Sequence, residues 1–136
     1  MKPYIYILYF IACIVIGASA DGLMDDGFKL WGHILGALEV LLLLLGGVIL
    51  KPRSWVAFIV AYVCWRVVGF DITYDLVRGF PITYVGTTGL WDMFFSKYEP
   101  SGLIWMRGIF LILAVHIPFK YLKPVNNSFD KNAYSI

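Results

Sequence analysis

Charged residues are scarce in this chain. Of its 136 residues, 15% are charged and 60% are hydrophobic, whereas a soluble domain has about 25% charged and about 45–50% apolar residues. The net charge is only +2, and the chain contains no basic run of the kind that binds nucleic acid. The composition therefore excludes a nucleic-acid partner and predicts one integral membrane domain over residues 1–136.

Sequence motifs for catalysis and metal binding are also missing. The two cysteines, Cys13 and Cys64, lie inside apolar segments and lack the spacing of a redox or zinc site. The chain contains no zinc-protease, nucleophile-elbow, P-loop or dinucleotide motif. The sequence therefore predicts no catalytic residue, no metal and no cofactor, and it favours a non-enzymatic role.

Long apolar runs, in contrast, occupy most of the chain. A helix needs about 20 mainly apolar residues to cross a bilayer. The runs predict an all-α membrane protein with four transmembrane helices, over about 4–20, 28–50, 55–78 and 103–119. The residues between and after them form an outer loop over 79–102 and a tail over 120–136. The aromatic segment Leu90–Tyr98 predicts a short interfacial helix in that loop.

The first apolar run also has the features of a secretory signal. A lysine precedes it, and Ala18-Ser19-Ala20 matches a cleavage site before Asp21. The alternatives are thus a removed signal and a retained helix. We expect the helix to be retained.

The charges in the loops predict how the chain crosses the membrane. Lys2, Lys51, Arg53 and Lys120 flank one set of helix ends, whereas the loop after the first helix carries only acids. Lysine and arginine in short loops mark the cytoplasmic side. We therefore expect both termini to be cytoplasmic, in a multi-pass protein of a bacterial inner membrane.

One carboxylate, Glu39, lies in the middle of an apolar helix. A charge at that depth costs about 3 kcal/mol on insertion scales and usually has a partner inside the protein. Counted from the cytoplasmic helix ends at 1.5 Å per residue, Glu39 stands about 16 Å high, Arg66 about 20 Å and Arg107 about 18 Å. The sequence predicts a buried polar layer of these three residues, with Glu39 paired to Arg66.

Glycines mark the same helix face as this acid. Gly32, Gly36, Glu39 and Gly46 follow one another at spacings of four, three and seven residues, so they share a face. Glycine spaced by four residues allows another helix to come close. We expect Gly32, Gly36 and Gly46 to form a packing surface and Glu39 to face protein.

A second polar layer is predicted nearer the outer surface. His33 and Asp71 stand at nearly the same height, and Asp71, Asp75 and Arg78 share one face of the third helix. Asp92 in the outer loop lies near the same interface. These five residues are the candidates for an outer polar layer.

Three functions are compatible with these features. The first is a subunit or scaffold of a larger membrane assembly, in which the Glu39–Arg66 pair only fixes helix packing. The second is a small transporter or channel for protons or small ions that uses the polar layer. The third is an outer-leaflet lipid-binding protein or lipid enzyme. The expected partners are the lipid bilayer and either another membrane protein or further copies of this chain.

Overall fold

The computed structural model describes residues 2–81, 97 and 100–122. Within these residues the fold is all-helical, and its four helices are α1 (Tyr4–Asp25), α2 (Lys29–Leu50), α3 (Trp55–Arg78) and α4 (Pro100–Tyr121). Each is long and apolar enough to span a membrane. The prediction of four apolar helices of membrane-spanning length is therefore confirmed, and the architecture is compatible with a small multi-pass membrane protein.

Local sequence signals explain where the helices begin and end. Ser54 caps α3, because its hydroxyl accepts the Ala57 N–H at 3.2 Å. Gly79 ends α3 in the left-handed conformation, with φ of 71°, which glycine adopts without steric cost. Pro52 comes two residues after Leu50, the last residue of α2, and cannot continue the helix. The α2–α3 connection is consequently short.

The helices are arranged around α1. It packs against both α2 and α3, and α3 packs in turn against α4. The start of α1, the α2–α3 turn and the end of α4 lie at one end of the molecule, here called the termini end. The α1–α2 turn, the end of α3 and the start of α4 lie at the other end, here called the loop end. Trp55 of α3 contacts Gly47 of α2 beside their connecting turn. Further from the turn α1 lies between α2 and α3, so a side-chain contact between those two helices has to pass α1.

Aromatic rings fill the termini end. Phe58 of α3 lies 4.9 Å from the Phe10 ring and 6.4 Å from the Tyr6 ring, measured between centroids. The Tyr6 hydroxyl donates to the Leu50 carbonyl at 2.9 Å. This carbonyl belongs to the last turn of α2 and has no partner within its own helix. Ring packing and one tyrosine hydrogen bond therefore hold three helix ends together.

A proline inside α4 sets the contact between α3 and α4. Pro118 lacks an N–H, so the Ala114 carbonyl, four residues earlier, loses its donor within the helix. The Trp65 indole N–H of α3 donates to this carbonyl at 3.0 Å. Both Pro118 and Ala114 are fully buried. A neighbouring side chain thus supplies the hydrogen bond that the proline removes, as membrane helices require.

The helix bounds agree with the sequence most closely in the middle of the chain. α2 starts one residue after its predicted start, and α3 has its predicted bounds. α1 continues to Asp25, and α4 starts at Pro100 and ends at Tyr121. The first and last helices are therefore longer than predicted. The predicted interfacial helix and most of the tail lie outside the described residues.

Candidate functional site

Glu39 is the centre of a three-residue cluster at mid-depth. Its Oε1 atom accepts hydrogen bonds from the Tyr62 hydroxyl and from Nη1 of Arg66, both on α3. The same Nη1 also donates to the Tyr62 oxygen at 3.2 Å. Glu39 is buried, at 7% exposure. The structure therefore brings Glu39 and Arg66 together, as their matching depths predict.

An aromatic ring also contacts Arg66, whose side chain is 36% exposed. The guanidinium carbon lies 4.2 Å from the centre of the Phe70 ring, four residues further along α3. A cation over an aromatic face is attracted by the ring's electron density. Arg66 is thus engaged by a carboxylate, a hydroxyl and a ring, two of them from its own helix.

Gly17 of α1 is the residue that makes the Glu39–Arg66 contact possible. A Cβ atom at position 17 would overlap the Glu39 carboxylate. Since α1 lies between α2 and α3, the glutamate reaches α3 across the bare backbone of Gly17. Sequence analysis missed this glycine, although its depth was a usable signal. Gly17 lies eight residues before the end of α1 and Glu39 ten after the start of α2, or about 12 Å and 15 Å from the loop end.

The structure places Arg107 differently from its prediction beside Glu39. Its Nη2 atom lies 3.1 Å from Oδ2 of Asp71, in an ion pair between α4 and α3. The height of Arg107 was counted from Phe119, but α4 continues to Tyr121. The two further residues raise Arg107 by about 3 Å, towards Asp71. Arg107 therefore belongs with the predicted outer polar layer.

Asp75 lies one turn beyond Asp71 on the same face of α3. It is 1% exposed, and its Oδ2 atom is buried without a hydrogen-bond partner. Asp71 and Arg107 are the charged groups that act on it electrostatically. The structure thus groups Asp71, Asp75 and Arg107 between α3 and α4.

Arg78, another residue of the predicted outer polar layer, turns towards α1. It forms an ion pair with Asp26, and its Nη1 also lies 3.5 Å from the Gly22 carbonyl. The neighbouring Tyr74 hydroxyl donates to Asp25. These contacts fasten α3 to the last turn of α1. Arg78 therefore shares a helix with Asp71 and Asp75 but does not belong to their group with Arg107.

The remaining predicted residues have diverse positions. His33 is exposed on α2, and Asp92 lies outside the described residues. Gly32 contacts Ala20 and Met24 of α1, and Gly46 contacts the Tyr9 ring, whereas nothing lies within 4 Å of a Cβ built on Gly36. Two of the three predicted packing glycines thus face α1.

The described residues hold no group of three or more histidines, cysteines or acids that could bind a metal ion. No protein-family model, curated protein or solved structure matches the chain. The four helices define the class of the chain as a small multi-pass membrane protein.

Proposed function

We propose that this chain is a non-enzymatic subunit or scaffold of a larger membrane assembly. The observation that carries this proposal is the cluster of Glu39, Tyr62 and Arg66. Their polar atoms bond to one another, and one charge from α2 neutralises one from α3. Such an arrangement supports a fixed helix packing, because a buried pair that is mutually satisfied specifies which helices meet and in which register.

The four helices are buried to different extents within the molecule, and this difference supports a partner beyond this chain. In the most apolar window of each helix, 39% of the residues of α1 are buried within the molecule, but only 11% of those of α4. Leu111, Ile112, Val115, His116 and Phe119 line a shallow depression on the exposed side of α4. We call these five residues the α4 face.

His116 makes lipid a poor cover for the α4 face. Its imidazole is exposed between apolar neighbours, and an imidazole in hydrocarbon lacks hydrogen-bond partners. A transmembrane helix that carries a hydrogen-bonding side chain would satisfy it, since histidine bonds across membrane helices. We therefore propose that the occupant of the α4 face is a transmembrane helix of another subunit.

Purification from native membranes in a mild detergent tests the role as a subunit. We expect a larger complex of fixed stoichiometry that Ile112→Trp disrupts, because the indole would fill the depression. The matched control is Val48→Trp on α2, where the parent residue is 62% exposed against 69% for Ile112. A chain that purifies alone, or a complex that survives both substitutions, would contradict the proposal. A complex made only of copies of this chain would identify the partner helix as its own.

The orientation is part of the same proposal, with both termini cytoplasmic and the loop end outside. Lys2, Lys51, Arg53 and Lys120 all lie at the termini end, which supports this direction. Cysteines introduced at Phe28 and Asn127 test it, because the native Cys13 and Cys64 are buried. Phe28→Cys should react with an impermeant reagent in intact spheroplasts, and Asn127→Cys only after permeabilisation. Reaction of both from one side would contradict the four-span orientation.

A further inference from the structure

The carboxyl group of Asp75 is in an unfavourable place for a negative charge. It is almost completely buried, and its Oδ2 atom receives no hydrogen bond. Burial without hydrogen bonds disfavours the ionised form of a carboxyl group. The residue also lies in the last turn of α3, which ends at Arg78. The carbonyl end of a helix carries partial negative charge and repels an anion.

The charges around Asp75 do not compensate it. Asp71 on the same helix already forms an ion pair with Arg107 at 3.1 Å. Arg78 and Tyr74 of α3 are engaged by α1, because Arg78 pairs with Asp26 and Tyr74 bonds to Asp25. Asp21 of α1 interacts with Arg66, Glu39 and Asp25. Among the described groups, one guanidinium therefore faces two carboxyl groups.

We propose that Asp75 is a proton-binding site, at which the carboxyl group takes up a proton close to neutral pH. With one proton bound, Asp71, Asp75 and Arg107 carry no net charge together. Two carboxyl groups that lie close together beside a single cation cannot both ionise without a large free-energy cost. The proton also turns an unsatisfied acceptor into a hydroxyl donor. The proposal does not depend on the role of the chain as a subunit.

The position of Asp75 gives its proton a short path to water. The residue lies four positions before Gly79, the C-cap of α3, which is about 6 Å along the helix. Exchange with the solution at the loop end is therefore compatible with burial of the carboxyl group.

Infrared spectroscopy of the full chain in liposomes tests the proposal. A protonated carboxyl group has a C=O stretching band that a carboxylate lacks, and the band shifts in D₂O. We expect such a band to appear in wild type as the pH falls below 7, and to be absent from Asp75→Asn over the same range. The matched control, Asp26→Asn, changes an acid whose side chain is 57% exposed, and it should keep the band. An unchanged band in Asp75→Asn, or no band in wild type, would overturn the proposal.

A second variant tests the charge count and leaves Asp75 itself intact. Asp71→Asn frees Arg107 to neutralise Asp75, so the band should disappear at a lower pH than in wild type. An Asp71→Asn band that disappears at the same pH as the wild-type band would show that Arg107 does not control the site. Addition of Na⁺ at fixed pH tests whether a metal cation competes with the proton for the carboxyl group. We expect the wild-type band to survive this addition. Its loss would mean that Na⁺ displaces the proton, and a site that holds a proton in the presence of salt would be excluded.

Discussion

The two ends of the molecule are held together by different kinds of contact. At the termini end, rings of Tyr6, Phe10 and Phe58 pack against one another, and the Tyr6 hydroxyl bonds to a main-chain carbonyl. From mid-depth to the loop end, charged side chains pair between helices. Lipid chains are as apolar as leucine, so burial of apolar surface alone does not bring membrane helices together. Each end therefore needs a specific contact, and the two ends should respond differently to substitution.

The largest effect should come from separating the charges at mid-depth. Arg66→Met leaves Glu39 buried without its cation, and we expect unfolding in bicelles to become easier by about 3 kcal/mol. Glu39→Gln combined with Arg66→Met removes both charges and should recover much of that loss. A double-mutant cycle measures the coupling. Additive effects of the two single substitutions would mean that the pair contributes nothing as a pair.

A somewhat smaller loss of stability is expected when the space beside Gly17 of α1 is filled. Gly17→Ala places a methyl group where the Glu39 carboxylate lies, and the flexible end of the glutamate has to move away from Arg66. We expect a loss of about 2 kcal/mol, because part of the charge interaction survives the displacement. Gly36→Ala is the matched control, since nothing lies within 4 Å of its new methyl group. Equal effects of the two substitutions on unfolding would show that α1 does not limit the contact.

The hydrogen bond from Trp65 should contribute less than either charge effect. Trp65→Phe removes the donor that serves the Ala114 carbonyl, and we expect a loss of about 1 kcal/mol. In a Pro118→Ala background the helix regains its own N–H donor, so the same substitution should cost less there. The comparison of Trp65→Phe in the two backgrounds checks this. An identical cost in both would mean that the indole acts only through its ring.

The smallest effect is expected at the termini end. Tyr6→Phe keeps the ring contact with Phe58 and removes only the hydroxyl that bonds to the Leu50 carbonyl. Hydrogen bonds between membrane helices average about 0.6 kcal/mol in double-mutant cycles, so a loss of about that size is expected in the same bicelle assay. A loss as large as that of Arg66→Met would remove the distinction between the two ends.

Depth was the property that the sequence predicted best. Counting residues from the helix ends placed Glu39 and Arg66 in one layer, and the structure joins them. Lateral position was not predictable in the same way. A short turn joins α2 and α3 in the sequence, yet in the structure α1 packs against both of them. Nothing in the apolar pattern of α1 distinguishes a helix between two others from a helix at the edge.

The partners of the arginines show the limits of depth as a predictor. Arg107 lies close in height to both Glu39 and Asp71, so an error of a few residues in the helix end decides its assignment. Arg78 shares a helix face with Asp75 but reaches Asp26 on α1, because its long side chain extends beyond its own turn. Tyr62 illustrates the opposite case. Its spacing of four from Arg66 put it on the correct face, but a tyrosine among apolar residues gives no sign of its hydrogen bond.

The separation of Glu39 and Arg66 along the chain also has a consequence for biosynthesis. The two residues are 27 positions apart, and ribosomes add about 5–20 residues per second. The glutamate is therefore made about one to five seconds before its arginine. During that interval α2 enters the insertion machinery with a carboxyl group that has no cation to meet. The hydrogen bonds of Glu39 can therefore form only after α3 has been synthesised, so the third helix completes the contacts that the α1–α2 hairpin makes at mid-depth.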